Sequence, residues 1–111
     1  MKINDMFSTF KNSLGENIGQ IDIYGPIGRG GFWEEEYSFK QFISEFREME
    51  KTCSEIIINI SSEGGSVFEG QAIASEIKSS KIKTTCKIGA LCASIATVIS
   101  SACDKVIMPN N

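Results

Sequence analysis

Along the chain, the spacing of the hydrophobic residues changes repeatedly between the spacing typical of a strand and that typical of a helix. Ile18, Ile21 and Ile23 precede the turn sequence Tyr24-Gly25-Pro26, which predicts a strand that ends at this turn. After Ser38 the apolar residues recur at helical spacing, at Phe39, Phe42, Ile43, Phe46 and Met49. This spacing predicts an amphipathic helix with Ser38 and Gln41 as its capping box. Its opposite face, which includes Glu45, is expected to be solvated.

The same alternation continues to the end of the chain. Three consecutive isoleucines, Ile56-Ile57-Ile58, predict a strand over 55–60 that is covered on both faces. Ser66 and Glu69 form a second capping box, before a helix with apolar positions at Val67, Phe68, Ile73, Ala74 and Ile77. A third strand is predicted near 82–88, ending at Gly89, then a third helix over about 92–102 and a last strand over 105–108.

This order of elements predicts the class of the fold. Strands that alternate with helices are typical of an α/β fold with a mainly parallel sheet. Residues 1–16 show no clear periodicity, so we expect them to form a weakly ordered arm before one folded region over 17–111.

Composition narrows the possible functions. A chain of 111 residues with 41% hydrophobic residues can build one compact core. A net charge of −3 argues against nucleic-acid binding, and the least polar stretch, 90–102, is too short to cross a bilayer. The N-terminus lacks the apolar segment of a signal peptide. The four cysteines, Cys53, Cys86, Cys92 and Cys103, form no C-x-x-C pair. We therefore expect buried free thiols in a cytoplasmic protein without a metal or cofactor.

The chain contains no histidine. A Ser-His or Cys-His catalytic pair is therefore excluded within these residues. Asp104 and Lys105 are the charged side chains that follow Ser94, a candidate nucleophile, in the sequence. Their position suggests an ordinary surface turn, whereas a catalytic Ser-Lys pair needs a buried lysine. Cys92 is not expected to act as a nucleophile either, because the chain contains no histidine to take its proton.

Two segments that join a strand to a helix carry the candidate chemistry, because ligands bind at this edge of open α/β sheets. One is the loop over 62–66 with the glycine pair Gly64-Gly65, and the other is the small-residue segment 89–96 around Ser94. Backbone N–H groups at such positions can stabilise an oxyanion. Each segment alone is also consistent with an ordinary structural role, as a capped turn or as a closely packed helix face.

Together, the motifs resemble the proteolytic subunit of the Clp protease family and its phage relatives, the prohead maturation proteases. The resemblance covers most of 17–111. It rests on four segments in the same order: Ile21-Asp22-Ile23-Tyr24-Gly25-Pro26-Ile27, Ile58-Asn59-Ile60-Ser61-Ser62-Glu63-Gly64-Gly65-Ser66-Val67, Gly89-Ala90-Leu91-Cys92-Ala93-Ser94-Ile95-Ala96 and Ala102-Cys103-Asp104-Lys105-Val106-Ile107-Met108-Pro109-Asn110. It implies the Clp/crotonase-like α/β fold with repeated strand-helix units.

The resemblance also implies roles for individual residues. Ser94 corresponds to the nucleophile, Gly65 and Ile95 to the two oxyanion N–H donors, and Gly64 to a residue that shapes the loop. The family usually has proline at the position of Glu63 and often methionine at that of Ile95, and neither change removes a backbone donor. The family's histidine and aspartate follow the Pro-Asn segment. We therefore expect the chain to be truncated before the C-terminal part of the fold, and to be inactive by itself.

The family further implies a polypeptide substrate, a ring of identical subunits, and an ATPase unfoldase or phage capsid proteins as possible partners. The Ser-Val pair after the glycines and the Asp-Lys-Val-x-Met-Pro ending favour the phage branch. Two alternatives remain open. One is a crotonase-type acyl-CoA enzyme that uses Glu63 or Glu69, and the other is a non-catalytic assembly protein that has kept the fold.

Overall fold

The computed structural model describes residues 7–25, 27–28, 38–62, 64–92 and 95–108. Within them it contains five strands and three helices in this order: β1 (Phe7–Lys11), β2 (Asn17–Tyr24), α1 (Phe39–Glu50), β3 (Glu55–Ser62), α2 (Val67–Ser79), β4 (Lys83–Cys92), α3 (Ile95–Ser101) and β5 (Lys105–Ile107). The strands form one sheet in the order β1-β2-β3-β4-β5. The pairs from β2 to β5 are parallel, which confirms the predicted α/β fold with a mainly parallel sheet.

β1 corrects the expectation of a weakly ordered arm. Phe7–Lys11 pairs antiparallel with β2, with Phe7 opposite Ile21 and Lys11 opposite Asn17. The side chain of Asn12 closes the connecting turn by accepting hydrogen bonds from the N–H groups of Leu14 and Glu16, at 2.9 and 3.0 Å. The free edge of β2 supplies the partners for the backbone of β1, and a strand stabilised in this way needs no hydrophobic alternation of its own.

The core lies on one side of the sheet. The buried side chains of the strands meet those of the helices in a single cluster: Ile21, Ile23, Ile27, Phe42, Phe46, Met49, Cys53, Ile56, Ile58, Ile60, Ile73, Ile77, Cys86, Ala96 and Ile99. Within it the rings of Phe42 and Phe46 stack at a centroid distance of 4.9 Å. The predicted apolar stripe of α1 thus faces the sheet.

The expectation that β3 is covered on both faces is wrong. Its residues alternate between buried and half-buried, so that Ile56, Ile58 and Ile60 face the core and Ile57 does not. The reason is topological. Because the parallel strands follow one another in sequence order and crossovers are right-handed, the connecting helices fall on the same face of the sheet.

Single positions also differ from the helical patterns. Glu45, which was expected to be solvated, is only 6% exposed, and its carboxylate accepts a hydrogen bond from Gln41 Nε2 at 3.4 Å. Val67 and Phe68, two of the apolar positions named for α2, are 58% and 82% exposed. They lie in the first turn of α2, beyond the reach of the sheet, so helical spacing alone overstates the buried face of this helix.

β4 runs past Gly89, where the sequence predicted its end, and reaches Cys92. Its register with β3 is irregular at this point, since Ile60 pairs with Ile88 but Ser62 pairs with Cys92. A Cβ atom at Gly89 would lie 3.0 Å from the Cβ of Ser61. Glycine therefore serves here to let two strands approach at a bulge, and not to terminate the strand. The third helix begins correspondingly later, at Ile95.

Candidate active site

The candidate site lies where β3 and β4 end and the next helices begin. Ser62, the last residue of β3, pairs with Cys92, the last residue of β4. The glycine loop follows the first of these residues and the Ser94 segment follows the second. Parallel pairing therefore brings the two predicted motifs to the same edge of the sheet, as expected for a site in an α/β fold.

A parallel bridge between Gly65 and Ile27 holds the glycine loop. The Ile27 N–H donates to the carbonyl oxygen of Gly64 at 3.0 Å, and the Ser66 N–H donates to the carbonyl oxygen of Ile27 at 2.8 Å. Successive groups of an extended chain point in opposite directions, so the N–H of Gly65 itself points away from Ile27. Among the described residues, none accepts a hydrogen bond from this N–H. Within the described part of the chain it is thus a donor without an acceptor, at the edge of the sheet.

Gly65 is required by this geometry. Its φ of +147° is disfavoured for residues with a side chain, and a Cβ atom would overlap the carbonyl oxygen of Ile27. The preceding Gly64 also has a positive φ, of +100°. This conformation favours glycine at position 64, and the loop-shaping role of Gly64 stays a prediction.

Ser62 is a residue that the sequence analysis missed. Its side chain is fully buried, and its hydroxyl donates to the carbonyl oxygen of Gly25 at 2.6 Å. The same Oγ accepts from the N–H of Gly64 at 3.0 Å. This one side chain therefore ties the glycine loop to the end of β2. The signal in the sequence was a serine two residues before a glycine, a spacing at which a hydroxyl can accept from the backbone.

The helix that follows the loop begins as predicted. Ser66 is the N-cap of α2, and its side chain accepts a hydrogen bond from the N–H of Glu69 at 3.2 Å. The Glu69 carboxylate, however, accepts from the N–H of Phe39 at the start of α1, at 2.8 Å. This carboxylate is engaged in linking two helices, which weakens the crotonase alternative that would use it as a catalytic group. Glu63, the other candidate of that alternative, lies outside the described residues.

Ser94 also lies outside the described residues, between the end of β4 at Cys92 and the start of α3 at Ile95. Ile95 is the first residue of α3, so its N–H has no acceptor within the helix. This is the position that the predicted second oxyanion donor requires. The assignments of Ser94 and Ile95 stay predictions.

The two charged residues that follow Ser94 in the sequence, Asp104 and Lys105, lie beside Thr84 and Thr85 at the start of β4, and so at the opposite end of this strand from the candidate site. Lys105 is exposed in β5, without the burial that a Ser-Lys pair needs. The Asp104 carboxylate accepts from the N–H of Thr84 at 2.9 Å and from its hydroxyl at 3.3 Å, which joins it to β4. In the part of the chain that the structure describes, no three or more of the Cys, Asp and Glu side chains group together in a way that could hold a metal ion.

A cavity of about 480 Å³ opens at the same edge of the sheet. It is lined by Tyr24, Asn59, Ile60, Ser61, Lys87, Ile88 and Gly89. Neither Gly64 nor Gly65 belongs to this lining, so the cavity is a neighbour of the candidate oxyanion site and not the site itself.

Comparison with known proteins identifies the family. The family model described as Clp protease matches residues 37–111, which include the glycine loop, the Ser94 segment and the last strand. This chain belongs to the Clp protease family. The resemblance found in the sequence is thereby confirmed. A search of curated proteins found no match.

Solved structures support the Clp-like fold. One that matches is described as a mutant of the 1510-N membrane-bound stomatin-specific protease. It is 22% identical in sequence and superposes with a TM-score of 0.66 over 82% of this chain. The present chain covers 42% of that structure's chain, so it spans less than half of that protease. Among the described residues of this Clp family chain, no helix has the length and apolar character needed to span a membrane.

Proposed function

We propose that this Clp family chain contributes the nucleophile and the oxyanion hole of a serine-type endopeptidase. Ser94 is the nucleophile, and the N–H groups of Gly65 and Ile95 are the oxyanion donors. The observation that carries this proposal is the N–H of Gly65, which the Ile27 bridge turns outward without a described acceptor. Preorganised backbone donors of this kind stabilise the developing negative charge of acyl transfer.

The reaction follows from these roles. The Ser94 Oγ attacks the peptide carbonyl carbon while a base takes the hydroxyl proton. The carbonyl oxygen becomes an oxyanion, which the two N–H groups bind. The base returns its proton to the leaving amine, and an ester forms on Ser94. Water then attacks this ester by the same route, and the acid product leaves.

The base comes from outside the 111 residues. The chain has no histidine, and Asp104 and Lys105 lie at the start of β4, away from the end of the strand where the candidate site is. In the Clp protease family, which the motifs of this chain resemble, the catalytic histidine and the aspartate that orients it follow the Pro-Asn segment. Our proposal therefore assigns no hydrolytic activity to residues 1–111 alone.

We also propose an oligomeric state, a cellular location and partners for the protein. Members of the Clp protease family generally form oligomeric rings. β5 offers an apolar edge for self-association, since Val106, Ile107 and Met108 are 41%, 40% and 67% exposed. A cytoplasmic ring that cleaves polypeptides, in the phage prohead branch and with capsid proteins or an ATPase unfoldase as partners, fits the sequence motifs. A monodisperse monomer in light scattering would contradict self-association.

The test uses the protein encoded by the complete gene and compares Ser94→Ala with Ser101→Ala. Ser101 is the last residue of α3, where its exposed hydroxyl donates to the carbonyl oxygens of Thr97 and Val98. Hydrolysis of a fluorogenic peptide should fall by roughly 10³-fold or more in Ser94→Ala and stay unchanged in Ser101→Ala. A fluorophosphonate probe should label only the protein that retains Ser94.

Two results would overturn the proposal. Equal activity of Ser94→Ala and the unmodified protein would remove Ser94 from the mechanism. Absence of both hydrolysis and labelling in the complete, folded protein would favour the non-catalytic assembly protein.

A further inference from the structure

The cavity of about 480 Å³ beside the candidate site is lined by polar side chains from the face of the sheet opposite to the core. Asn59 on β3 and Lys87 on β4 are register partners, and both line the cavity. Each follows a completely buried core residue, Ile58 and Cys86 respectively. Because successive side chains of a strand point to opposite faces, Asn59 and Lys87 lie side by side on the outer face.

Hydrogen bonds to β2 fix the orientation of the Asn59 amide. Its Nδ2 donates to Asp22 Oδ1 at 2.8 Å and to Gln20 Oε1 at 3.2 Å. An ionised carboxylate only accepts hydrogen bonds, so the atom that faces Asp22 is the amide nitrogen and not the oxygen. Asn59 Oδ1 lies on the other side of the planar amide, towards β4. Among the described residues, none donates to this oxygen.

The Lys87 ammonium is the cation next to this acceptor. In the described part of the chain, no carboxylate lies within ion-pair distance of it. Asp22 is two strands away, at roughly 10 Å from the spacing of strands, and binds Asn59. The Glu55 carboxylate accepts from the Thr85 hydroxyl at 2.8 Å. An exposed lysine is ordinary by itself, but here it adjoins an oriented acceptor inside a cavity.

The other end of the cavity leaves room for a ligand. Tyr24, which is 49% exposed, and its register partner Ser61 line this end. Gly89 lines it as well, and a Cβ atom at this position would lie 3.0 Å from the Cβ of Ser61. A side chain there would occupy space that glycine leaves open. The volume of about 480 Å³ lies within the range of cavities that hold small ligands.

We propose that this cavity binds the C-terminal residue of a peptide. The terminal carboxylate accepts from the Lys87 ammonium, and the N–H of the same residue donates to Asn59 Oδ1. Neighbouring strands lie about 4.8 Å apart. The nitrogen and the carboxylate carbon of a terminal residue are bonded to the same Cα, so one residue can bridge the two side chains.

The chemistry of the two groups selects this ligand among the alternatives. A peptide N-terminus would bring a second cation to Lys87, and an inorganic anion has no N–H group for Asn59 Oδ1. Each peptide hydrolysis creates a new C-terminal carboxylate, so the ligand class matches the proposed activity. Binding itself does not involve Ser94, and the cavity lining does not include the candidate oxyanion donor Gly65.

The first experiment measures binding by the complete protein with Ser94→Ala, which prevents cleavage of the probe. The probe is the pentapeptide Gly-Ser-Gly-Ser-Ala with an uncharged dye on its N-terminus, and the readout is fluorescence anisotropy. The same peptide with a C-terminal amide should bind at least about tenfold more weakly, because it loses a charge-assisted hydrogen bond. N-methylation of the last residue should also weaken binding, but not in Asn59→Ala, which lacks the acceptor.

Variants of two lysines test the position of the site. Lys87→Met should reduce the affinity for the free acid to that for the amide, and Lys87→Arg should restore the preference for the acid. Lys83→Met is the matched control and should change neither affinity. Lys83 is an exposed lysine of the same strand, four residues before Lys87, and does not line the cavity.

A second experiment locates the carboxylate without a lysine variant. A carbodiimide couples the carboxylate of the N-acetylated peptide to an adjacent ammonium, with loss of one water. Digestion and mass spectrometry should then find the peptide on Lys87 in preference to Lys83 and Lys105. N-acetylalanine should compete with the peptide for binding better than glutarate does, since glutarate carries carboxylates without an N–H group.

Three results would overturn the inference. They are equal affinities for the free acid and the amide, equal effects of Lys87→Met and Lys83→Met, and coupling that shows no preference for Lys87. Competition by glutarate that equals that of N-acetylalanine would also exclude recognition of a terminal residue. If the variants fail to fold, the comparison of acid with amide and the coupling map decide. Because none of these readouts is hydrolysis, failure of the proposed peptidase activity would leave them unaffected.

Discussion

The carboxylate of Glu69, in the first turn of α2, accepts a hydrogen bond of 2.8 Å from the backbone N–H of Phe39, the first residue of α1. One residue thereby takes part in two helix N-termini: its carboxylate accepts from the start of α1, and its backbone N–H donates to the side chain of the cap residue Ser66. The contact joins positions 30 residues apart and sets where α1 begins relative to the glycine loop. Linking these helices is its structural role.

Glu69→Ala should destabilise the protein by about 1–2 kcal/mol, because it leaves the partly buried N–H of Phe39 without its acceptor. Glu69→Gln should cost less, since the amide oxygen can still accept this hydrogen bond without the charge. The measurement is the free energy of unfolding in urea. Glu48→Ala, which removes an exposed carboxylate that contacts only Lys51, is the control and should change stability by less than about 0.5 kcal/mol. Equal losses for Glu69→Ala and Glu48→Ala would contradict the helix-linking role.

Gly65→Ala should disable the candidate oxyanion site. The new methyl group would collide with the backbone of Ile27 and force the bridge apart, which moves the Gly65 N–H. Peptide hydrolysis by the complete protein should fall by about 100-fold or more, the effect of losing one oxyanion donor. Gly15→Ala is the matched control, because Gly15 also has a positive φ, of +82°, but has no atom within 4 Å of the added Cβ. A Gly65→Ala protein that is folded and fully active would exclude Gly65 from the site.

Alkylation of Cys103 should depend on pH in a specific direction. Because hydrogen bonds from Cys86 and Thr84 lower the pKa of Cys103, its thiolate forms at lower pH than an ordinary thiolate does. The rate of iodoacetamide labelling at Cys103, followed by peptide mass spectrometry, should therefore reach half of its plateau at lower pH than the labelling of a free cysteine peptide under the same conditions. Cys86→Ala should move this midpoint to higher pH, and Thr84→Val should do so to a smaller extent. An unchanged midpoint in Cys86→Ala would show that the thiol pair does not interact.

The gene should encode a histidine after the codon for Asn111. We expect the reading frame to continue and to reach a histidine within about a dozen residues, in a strand-like setting, because an activated serine needs a base. Sequencing the gene beyond this codon provides the measurement. A stop codon at that point would leave Ser94 without a base on its own chain, and the search would move to a partner that supplies one.

The local elements could be predicted from the sequence because their signals are local. Ser38 and Ser66 cap their helices as the capping boxes indicated, and the apolar stripe of α1 buries Phe42, Phe46 and Met49. The alternation of strands and helices was sufficient for the fold class, and four separated motifs were sufficient for the family. Each of these features depends on residues that are close in sequence or on a pattern repeated along the chain.

The tertiary structure decided which of these residues meet. Sequential strand order placed the helices on one face, which left the far side of β3 only half-covered. Pairing with β2 turned part of the expected arm into a strand, and the bridge to Ile27 left the Gly65 N–H without an acceptor among the described residues. The Glu69 side chain of the predicted capping box accepts its hydrogen bond from the N–H of Phe39 instead of from its own helix. Local periodicity carries no information on these contacts, because each joins segments that are distant in sequence and meet only when the strands pair and the helices pack on the sheet.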